Sequence, residues 1–205
     1  MEIKRAGEAM SYSLHHSTES NSLLYKVFEN TGETVYKCYQ CGKCSAGCPL
    51  SGDMDYAPSS VLRMIQLEIP ELDSKVLSSY SIWLCLTCET CVTRCPQEVD
   101  LPKIIDYLRS ESIEHKKVNP AAKDIIAFHK TFLDSIRTTG RLYEVGLIAG
   151  YKFRTFHLLQ DVSVAPKMFL LGKLNPLPHI IKNRSAIEKI FRKSNRAHAG
   201  KEAEQ

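Results

Sequence analysis

The stretch Cys38-Tyr-Gln-Cys41-Gly-Lys-Cys44-Ser-Ala-Gly-Cys48-Pro49 governs the architecture of this chain. The same pattern returns 47 positions later as Cys85-Leu-Thr-Cys88-Glu-Thr-Cys91-Val-Thr-Arg-Cys95-Pro96. Both copies have the spacing C-x2-C-x2-C-x3-C-P, and together they contain all 8 cysteines of the 205-residue chain. This duplication predicts two metal centres that are built by the same two segments.

The spacing indicates which metal centre the cysteines bind. It is the bacterial ferredoxin run, which wraps a cubane 4Fe-4S cluster and sends its fourth cysteine to the other cluster. Pro49 and Pro96 bias the preceding residue toward extended backbone, which steers Cys48 and Cys95 away from their own loops. The pattern therefore predicts two 4Fe-4S clusters, the first bound by Cys38, Cys41, Cys44 and Cys95, and the second by Cys85, Cys88, Cys91 and Cys48.

Two other uses of the cysteines fit the pattern less well. Disulfides require an oxidising compartment, and the N-terminal segment Met1-Glu-Ile-Lys-Arg5 leads into polar residues and not into the apolar run of a signal peptide. Structural zinc is usually bound by two CxxC pairs, which differ from four cysteines followed by proline. Because the complete pattern occurs twice, clusters are the favoured interpretation.

Composition is consistent with a reduced, cytoplasmic protein. No apolar run approaches the length that a membrane-spanning helix needs. The formal net charge is +4, but each oxidised cubane with four thiolates adds about −2. The loaded protein is therefore close to neutral, which gives no reason to expect nucleic acid as a partner.

The spacer between the two motifs predicts an all-α fold of the α-helical ferredoxin type. It has 36 residues between Cys48 and Cys85, enough for two helices. Apolar residues at helical spacing predict a helix that begins after Ala57-Pro58 and stops at Pro70. We expect Asp73 to cap a second helix that runs to Leu84. After the second motif, Asp100 and Pro102 predict the start of a third helix.

The distribution of motifs predicts three regions: an N-terminal extension (1–30), a two-cluster ferredoxin domain (31–118) and a helical C-terminal extension (119–205). The C-terminal extension contains no cysteine. Its apolar residues predict a docking surface for other subunits, or else packing against the cluster domain. Within it we expect a helix from Asn119-Pro120 to Gly140, a helix over 141–160, an extended segment over 167–179, a short helix over 185–193 and a frayed end over 197–205.

Two stretches carry a resemblance to a known family. Val35 to Pro49 and Ile82 to Arg109 resemble the C-type subunit of heterodisulfide reductase, and Gly172-Lys-Leu-Asn-Pro-Leu-Pro178 is similar to the family's C-terminal region. The resemblance implies a non-catalytic electron-transfer subunit in a hetero-oligomer. It would connect an A-like subunit, which carries flavin and iron-sulfur clusters, with a B-like subunit, which is cysteine-rich and catalytic. It also implies that all eight cysteines are cluster ligands.

Several residues near the cysteines could adjust the clusters. Backbone amides around Gly42 and Gly47, and the charges of Lys43 and Arg94, are candidates for raising the reduction potential. We expect Trp83 and Tyr39 to pack near the clusters and exclude water. The sequence contains no phosphate-binding glycine motif and no evident catalytic residues, so flavin or nucleotide would belong to a partner.

Two other functions remain open at this point. Similar two-cluster modules serve quinone-linked dehydrogenases, in which a membrane partner or a fused cysteine-rich domain completes the electron path. The absence of a fused cysteine-rich domain after residue 118 favours a separate B-like subunit. A non-redox module that uses clusters as structural staples would be expected to interleave aromatic and basic residues around them, and this pattern is not seen.

Overall fold

The computed structural model describes residues 22–157, 165–172, 177–178 and 180–202. Every regular element in these ranges is helical and none is a strand, so the all-α prediction is confirmed. The chain divides into two compact units, one ending at Asn119 and one beginning at Pro120. In the described part of the chain, no helix is long and apolar enough to span a membrane.

The first unit contains seven α-helices and one turn of 3-10 helix among its described residues. The 3-10 turn, Val35–Lys37, precedes the first cysteine. The helices are α1 (Leu23–Thr31), α2 (Lys43–Ala46), α3 (Pro58–Gln66), α4 (Pro70–Leu77), α5 (Ser81–Leu84), α6 (Thr90–Thr93) and α7 (Leu101–Glu114).

Helix α7 organises the core of this unit, because it contacts α1, α4, α5 and α6. The most deeply buried apolar side chains are at most 2% exposed, and burial of each stabilises the fold by roughly 1.5–3 kcal/mol. They come from nearly every element: Val27, Val35, Val61, Leu62, Ile65, Val76, Ile82, Ile104 and Leu108. The core therefore ties the short helices beside the cysteines to a longer scaffold.

Helices α3 and α7 begin where the sequence predicts. Pro58 is the first residue of α3, where a missing N–H costs nothing. Asp100 caps α7, because its side chain accepts a hydrogen bond of 3.1 Å from the Lys103 amide. Both predictions of helix starts are confirmed.

The prediction that Asp73 caps the second helix is wrong. Helix α4 begins earlier, at Pro70, and Asp73 lies in its first turn. Proline fixes its own φ at a helical value, so it is a suitable first residue. The Asp73 carboxylate instead accepts a hydrogen bond of 3.4 Å from the amide of Leu23, the first residue of α1.

The expectation of one continuous helix to Leu84 is also wrong, because the chain breaks between α4 and α5. Asp55, from the loop after the first motif, accepts hydrogen bonds from the amides of Tyr80 (2.9 Å) and Ser81 (2.8 Å). The Ser81 hydroxyl also donates to Asp55 and accepts from the Tyr56 amide. These bonds satisfy the free amides at the start of α5 and fix its position directly before Cys85.

The second unit contains α8 (Lys123–Thr139), α9 (Glu144–Thr155), α10 (Ala165–Leu170) and α11 (Arg184–Glu202) among its described residues. The helix end at Gly140 is confirmed, since this glycine adopts a left-handed φ of 84°. The helix predicted over 141–160 is shorter than expected within the described residues. Helix α10 contradicts the expected extended segment at Lys167, while 173–176 and 179 lie outside the described residues.

The last helix is longer than its prediction. Helix α11 extends through Glu202, beyond the expected end at Lys193 and through most of the segment predicted to fray. Residues 203–205 lie outside the described ranges. Arginine, lysine, alanine and glutamate in this segment are good helix formers, which explains why the helix continues past the predicted end.

Helices α8 and α9 pack closely along a stripe of small residues. Thr131, Ser135 and Thr139 are buried at successive turns of α8. A Cβ atom at Gly150 of α9 would lie 2.6 Å from Cγ2 of Thr131, so only glycine permits this approach. Ser135 Oγ accepts a hydrogen bond of 2.9 Å from the amide of Tyr143, which precedes α9.

The Asp55 contacts give a prediction about stability. Replacing Asp55 with Ala should lower the free energy of unfolding by about 0.5–2 kcal/mol, the cost of losing a helix cap. Urea unfolding of the anaerobic protein measures this. Asp53→Ala, which removes an exposed carboxylate from the same loop, should leave the value unchanged.

The same contacts predict an acid dependence. Desolvation opposes ionisation of Asp55, but hydrogen bonds from Ser81 and Tyr80 outweigh it and hold its pKa below the usual value of 3.8. The stabilisation is therefore fully present above pH 3.8 and is lost as the pH falls through the lower folded-state pKa. Equal acid sensitivity in the wild type and in Asp55→Ala would contradict this role.

Candidate metal centres

The two cysteine motifs fold into matching loops. Gln40 and Gly42 have φ values of 63° and 74°, and their counterparts in the second loop, Thr87 and Glu89, have values of 50° and 60°. In both loops these left-handed residues flank the second cysteine, and a one-turn helix follows. The chain therefore uses the same backbone path twice.

The backbone path prepares each loop to bind an anionic group. Residues that alternate between left-handed and right-handed conformations turn successive N–H groups toward one side, which forms the concave sites found around phosphates and iron-sulfur clusters. The chain after each one-turn helix is also alike. Cys48 donates its amide hydrogen to the Ser45 carbonyl at 3.2 Å, and Cys95 donates to Val92 at 3.0 Å.

Four cysteines from both motifs line one cavity. This cavity contains about 530 Å³ of space outside protein atoms, including some that is open to solvent. Its cysteines are Cys48, Cys85, Cys88 and Cys91, the four that the sequence predicts for the second cluster. Apolar side chains complete the wall: Leu50, Met54, Val61, Leu86, Leu101 and Ile105.

The other four cysteines are related by their electrostatic effects. Burial raises the pKa of the Cys38 thiol, and Cys95 and Cys41 raise it further. Burial likewise raises the pKa of Cys44, to which Cys38 also contributes. Cys95 Sγ accepts a hydrogen bond of 3.4 Å from the Val99 amide. Cys95 therefore lies close to the first loop, although it belongs to the second motif.

The two groups of cysteines adjoin. Burial raises the pKa of Cys91 to about 11, with further contributions from Cys85 of its own loop and Cys44 of the other. Helix α2, which contains Cys44, contacts α6, which contains Cys91. A Cβ atom at Gly47 would lie 2.5 Å from Cδ of Arg94, so the residues before Cys48 and Cys95 also meet.

Each loop exposes its second cysteine. A hydrogen bond from the Lys43 amide lowers the pKa of Cys41, and hydrogen bonds with the Thr90 hydroxyl and amide lower the pKa of Cys88. Large apolar side chains are exposed beside them at equivalent positions, Tyr39 at 58% and Leu86 at 66%. Both centres therefore approach the surface at the same point of their loops.

Two side chains from distant helices anchor the loops, and sequence analysis missed both. Gln66 Nε2, at the end of α3, donates hydrogen bonds to the carbonyls of Val35 (3.0 Å) and Cys38 (2.7 Å). Arg109, on α7, donates to the corresponding carbonyls of Ile82 (Nε, 2.6 Å) and Cys85 (Nη2). The sequence signal that could have identified them is a polar residue directly after a buried apolar one, Gln66 after Ile65 and Arg109 after Leu108.

The predicted auxiliary residues have different surroundings. Trp83 is buried at 5% exposure but does not line the cavity, so its predicted packing near a cluster stays a prediction. Tyr39 is 58% exposed, which does not fit that role. Arg94 lies against Gly47, between the two loops. The charge of Lys43 acts on Cys41.

Comparison with known proteins agrees with this geometry. The family model of the 4Fe-4S dicluster domain matches residues 34–99. The chain contains a 4Fe-4S dicluster domain. It carries two 4Fe-4S clusters, as the match to this domain and the eight cysteines at ferredoxin-like spacing indicate.

The dicluster-domain protein is similar to the C subunits of heterodisulfide reductases. It is 30% identical over 117 residues to the C2 iron-sulfur subunit of the CoB–CoM heterodisulfide reductase of Methanocaldococcus jannaschii, covering 57% of this chain and 61% of the relative. It is 36% identical over 93 residues to the C iron-sulfur subunit of the same reductase in Methanopyrus kandleri, covering 45% of each.

A third relative matches over a shorter stretch. Identity is 41% over 77 residues with the C2 subunit of the H(2)/formate:CoB-CoM heterodisulfide,ferredoxin reductase of Methanococcus maripaludis, covering 38% of this chain and 40% of the relative. The matches thus span between 40% and 61% of the length of these three relatives. The dicluster-domain protein is an iron-sulfur protein that resembles the C subunit of heterodisulfide reductase.

The residues of the cavity fit a cubane. Four thiols from two separate segments surround a space with apolar walls, and thiolates are the protein ligands of such clusters. Among the described residues, no three His, Cys, Asp or Glu side chains form a group suited to a single metal ion. Thiols that bind a cluster must ionise, and partial burial raises the pKa of Cys85 and Cys91. A bound cluster would supply the opposing positive charge.

Ligand substitution tests the crossed assignment. Cys48→Ser should impair the second cluster more than the first, because Cys48 shares the cavity with Cys85, Cys88 and Cys91. Cys95→Ser should impair the first. We expect the iron content to fall from about eight toward about four atoms per chain in either variant. Electron paramagnetic resonance (EPR) should show that a different cluster remains in each variant.

The control for these variants is Ser51→Ala, which changes a nearby residue that is not a predicted ligand and should retain full iron. Selective loss of the first cluster in Cys48→Ser would contradict the crossed assignment. Loss of identical signals in both cysteine variants would contradict it as well.

Proposed function

We propose that this protein is an electron-transfer subunit of a heterodisulfide-reductase-like complex. It would act in the cytoplasm between an A-like subunit, which carries flavin and iron-sulfur clusters, and a B-like subunit, which is cysteine-rich and catalytic. The observation that carries the proposal is the geometry of the two loops. Their half-buried cysteines adjoin where α2, with Cys44, contacts α6, with Cys91, while Cys41 and Cys88 are exposed.

The chain's own residues would position and protect the redox groups. When bound, each 4Fe-4S cluster accepts and donates one electron. We assign Cys38, Cys41, Cys44 and Cys95 to the first cluster, and Cys85, Cys88, Cys91 and Cys48 to the second. With four thiolates each, the clusters leave no position for a substrate, so the subunit itself is not catalytic. The apolar wall of the cavity would limit the access of water to the buried side of the second cluster.

The exposed parts of the loops would meet two different partners. Tyr39 and Leu86 each provide an apolar contact beside an exposed cysteine. The first loop carries Lys43, whereas the second carries Glu89 at the position equivalent to Gly42. Complementary charges set partner choice and speed association, so this difference favours two distinct partner surfaces.

The second unit would hold the subunit in its complex. Phe153, Phe156 and Leu170 are 79%, 81% and 86% exposed. Apolar side chains of this size commonly mark interaction sites when they are left exposed. We therefore keep the division into an N-terminal extension (1–30), a cluster domain (31–118) and a docking extension (119–205) as part of the proposal.

The proposal is tested by anaerobic purification of the native assembly from its host, with iron analysis and mass spectrometry of every co-purifying chain. We expect about eight irons per chain, together with a flavoprotein and a cysteine-rich subunit. A dehydrogenase with a quinone-binding membrane subunit would overturn the heterodisulfide-reductase assignment. Clusters that can neither be reduced nor exchange electrons with any partner would indicate a structural role.

A second prediction addresses the loop surfaces. Tyr39→Ser and Leu86→Ser should each weaken binding of one partner about tenfold, the effect of losing about 1.4 kcal/mol at an interface. Binding of the purified partner subunits and the rate of electron transfer to them provide the measurements. Ile113→Ser is the matched control, because Ile113 is 53% exposed on α7 outside both loops.

The two loop variants should affect different partners and retain iron. Equal effects of Tyr39→Ser, Leu86→Ser and Ile113→Ser would contradict the assignment of these loops as docking points. Iron content measured on the same samples separates a docking defect from cluster loss.

A further inference from the structure

The two loop anchors occupy equivalent places but differ in charge. In the first loop, the carbonyls of Val35 and Cys38 accept hydrogen bonds from one neutral amide, that of Gln66. In the second loop, the carbonyls at the same positions, Ile82 and Cys85, accept hydrogen bonds from the guanidinium of Arg109. Both side chains therefore hold their loops in the same way, but Gln66 is neutral and Arg109 carries a full positive charge.

The first anchor belongs to a network of neutral groups. Gln66 Oε1 accepts a hydrogen bond of 3.3 Å from Gln40 Nε2. Gln40 Nε2 also lies 3.4 Å from Cys38 Sγ and donates to it. The counterpart of Gln40 in the second loop is Thr87, whose hydroxyl donates to the Leu86 carbonyl and not to a thiol.

The charge of the second anchor is poorly screened by water. The Arg109 side chain is only 17% exposed, and its carboxylate partner Asp106 is 61% exposed. Their ion pair is 2.8 Å long, but the charge of the exposed carboxylate is screened more strongly than that of the buried guanidinium. A net positive potential therefore remains at Cys85, where the guanidinium meets the loop.

We propose that Arg109 positions the second cysteine loop and raises the reduction potential of the cluster bound by Cys48, Cys85, Cys88 and Cys91, whereas Gln66 only positions the first loop. The inference rests on the proposed cluster assignment. Reduction adds one negative charge to a cluster, and a nearby buried cation stabilises that charge. Arg109 therefore makes the second cluster easier to reduce.

The test is an EPR-monitored redox titration of the full chain after anaerobic loading with iron and sulfide. Arg109→Gln should shift the midpoint potential of the second cluster by about 59 mV to more negative values. For a one-electron couple, this corresponds to a tenfold lower ratio of reduced to oxidised cluster at the same applied potential. The first cluster should shift much less. The signal of the second cluster is identified as the one altered by Cys88→Ser.

Two further variants separate charge from positioning. Arg109→Lys keeps the charge but loses the fork that reaches both carbonyls, so its midpoint should stay nearer the wild type than that of Arg109→Gln. A purely structural role would give both variants the same midpoint. Asp106→Asn retains both Arg109 bonds to the loop and should shift the second midpoint to more positive potential.

The matched control is Lys103→Gln. Lys103 is 52% exposed on the same helix and pairs with Glu33, so this variant removes one positive charge without touching the loop. It should leave the second midpoint near the wild-type value. A shift equal to that of Arg109→Gln would overturn the proposal, because it would reflect net charge alone.

The remaining outcomes also decide the matter. If Arg109→Gln retains both clusters and neither midpoint moves, the proposal is wrong. If Arg109→Gln loses the second cluster, the midpoint potential of Asp106→Asn becomes the test. An unchanged midpoint of the second cluster in Asp106→Asn would overturn the electrostatic role of Arg109. Failure of the proposed function would look different, because it would appear in the identity of the co-purifying subunits and would leave these midpoint shifts in place.

Discussion

Each cysteine loop depends on one side chain that reaches it from a distant helix and binds two of its carbonyl groups. Gln66 and Arg109 provide these bonds, and both follow a deeply buried residue of their own helix. A loop of left-handed residues and one-turn helices has few internal hydrogen bonds, so it needs such an external hold. The packing of α3 and α7 therefore determines where the thiols lie, and the hydrophobic core supports the metal chemistry directly.

The proposed crossing of Cys48 and Cys95 complements this arrangement. The anchors fix where each loop begins, and the contact between Gly47 and Arg94 brings together the residues that precede the crossing cysteines. With that crossing, each centre would require both motifs, and metal binding would contribute to the free energy of folding. Asp55 also links the two motifs, because its hydrogen bonds connect the loop after the first motif to the helix that leads into the second.

The sequence predicts the helical class, the duplicated cysteine loops and the starts of α3 and α7, because these depend on local signals such as Pro58 and Asp100. It fails where a long-range contact decides. The break before α5 depends on Asp55, which lies 25 residues from Tyr80, and Asp73 serves α1 instead of its own helix. Gln66 and Arg109 are ordinary polar residues in the sequence, and only the fold places them on the loops.

One difference between the loops bears on their backbone strain. At equivalent positions the first loop has Gly42 and the second has Glu89, both in left-handed backbone, and the second loop also holds the β-branched Thr87 in this conformation. A side chain in this region costs roughly 1–2 kcal/mol, which glycine avoids. The first loop has a side chain in this region at Gln40 alone, so the second loop carries more backbone strain. The two loops therefore follow one backbone path at unequal conformational cost.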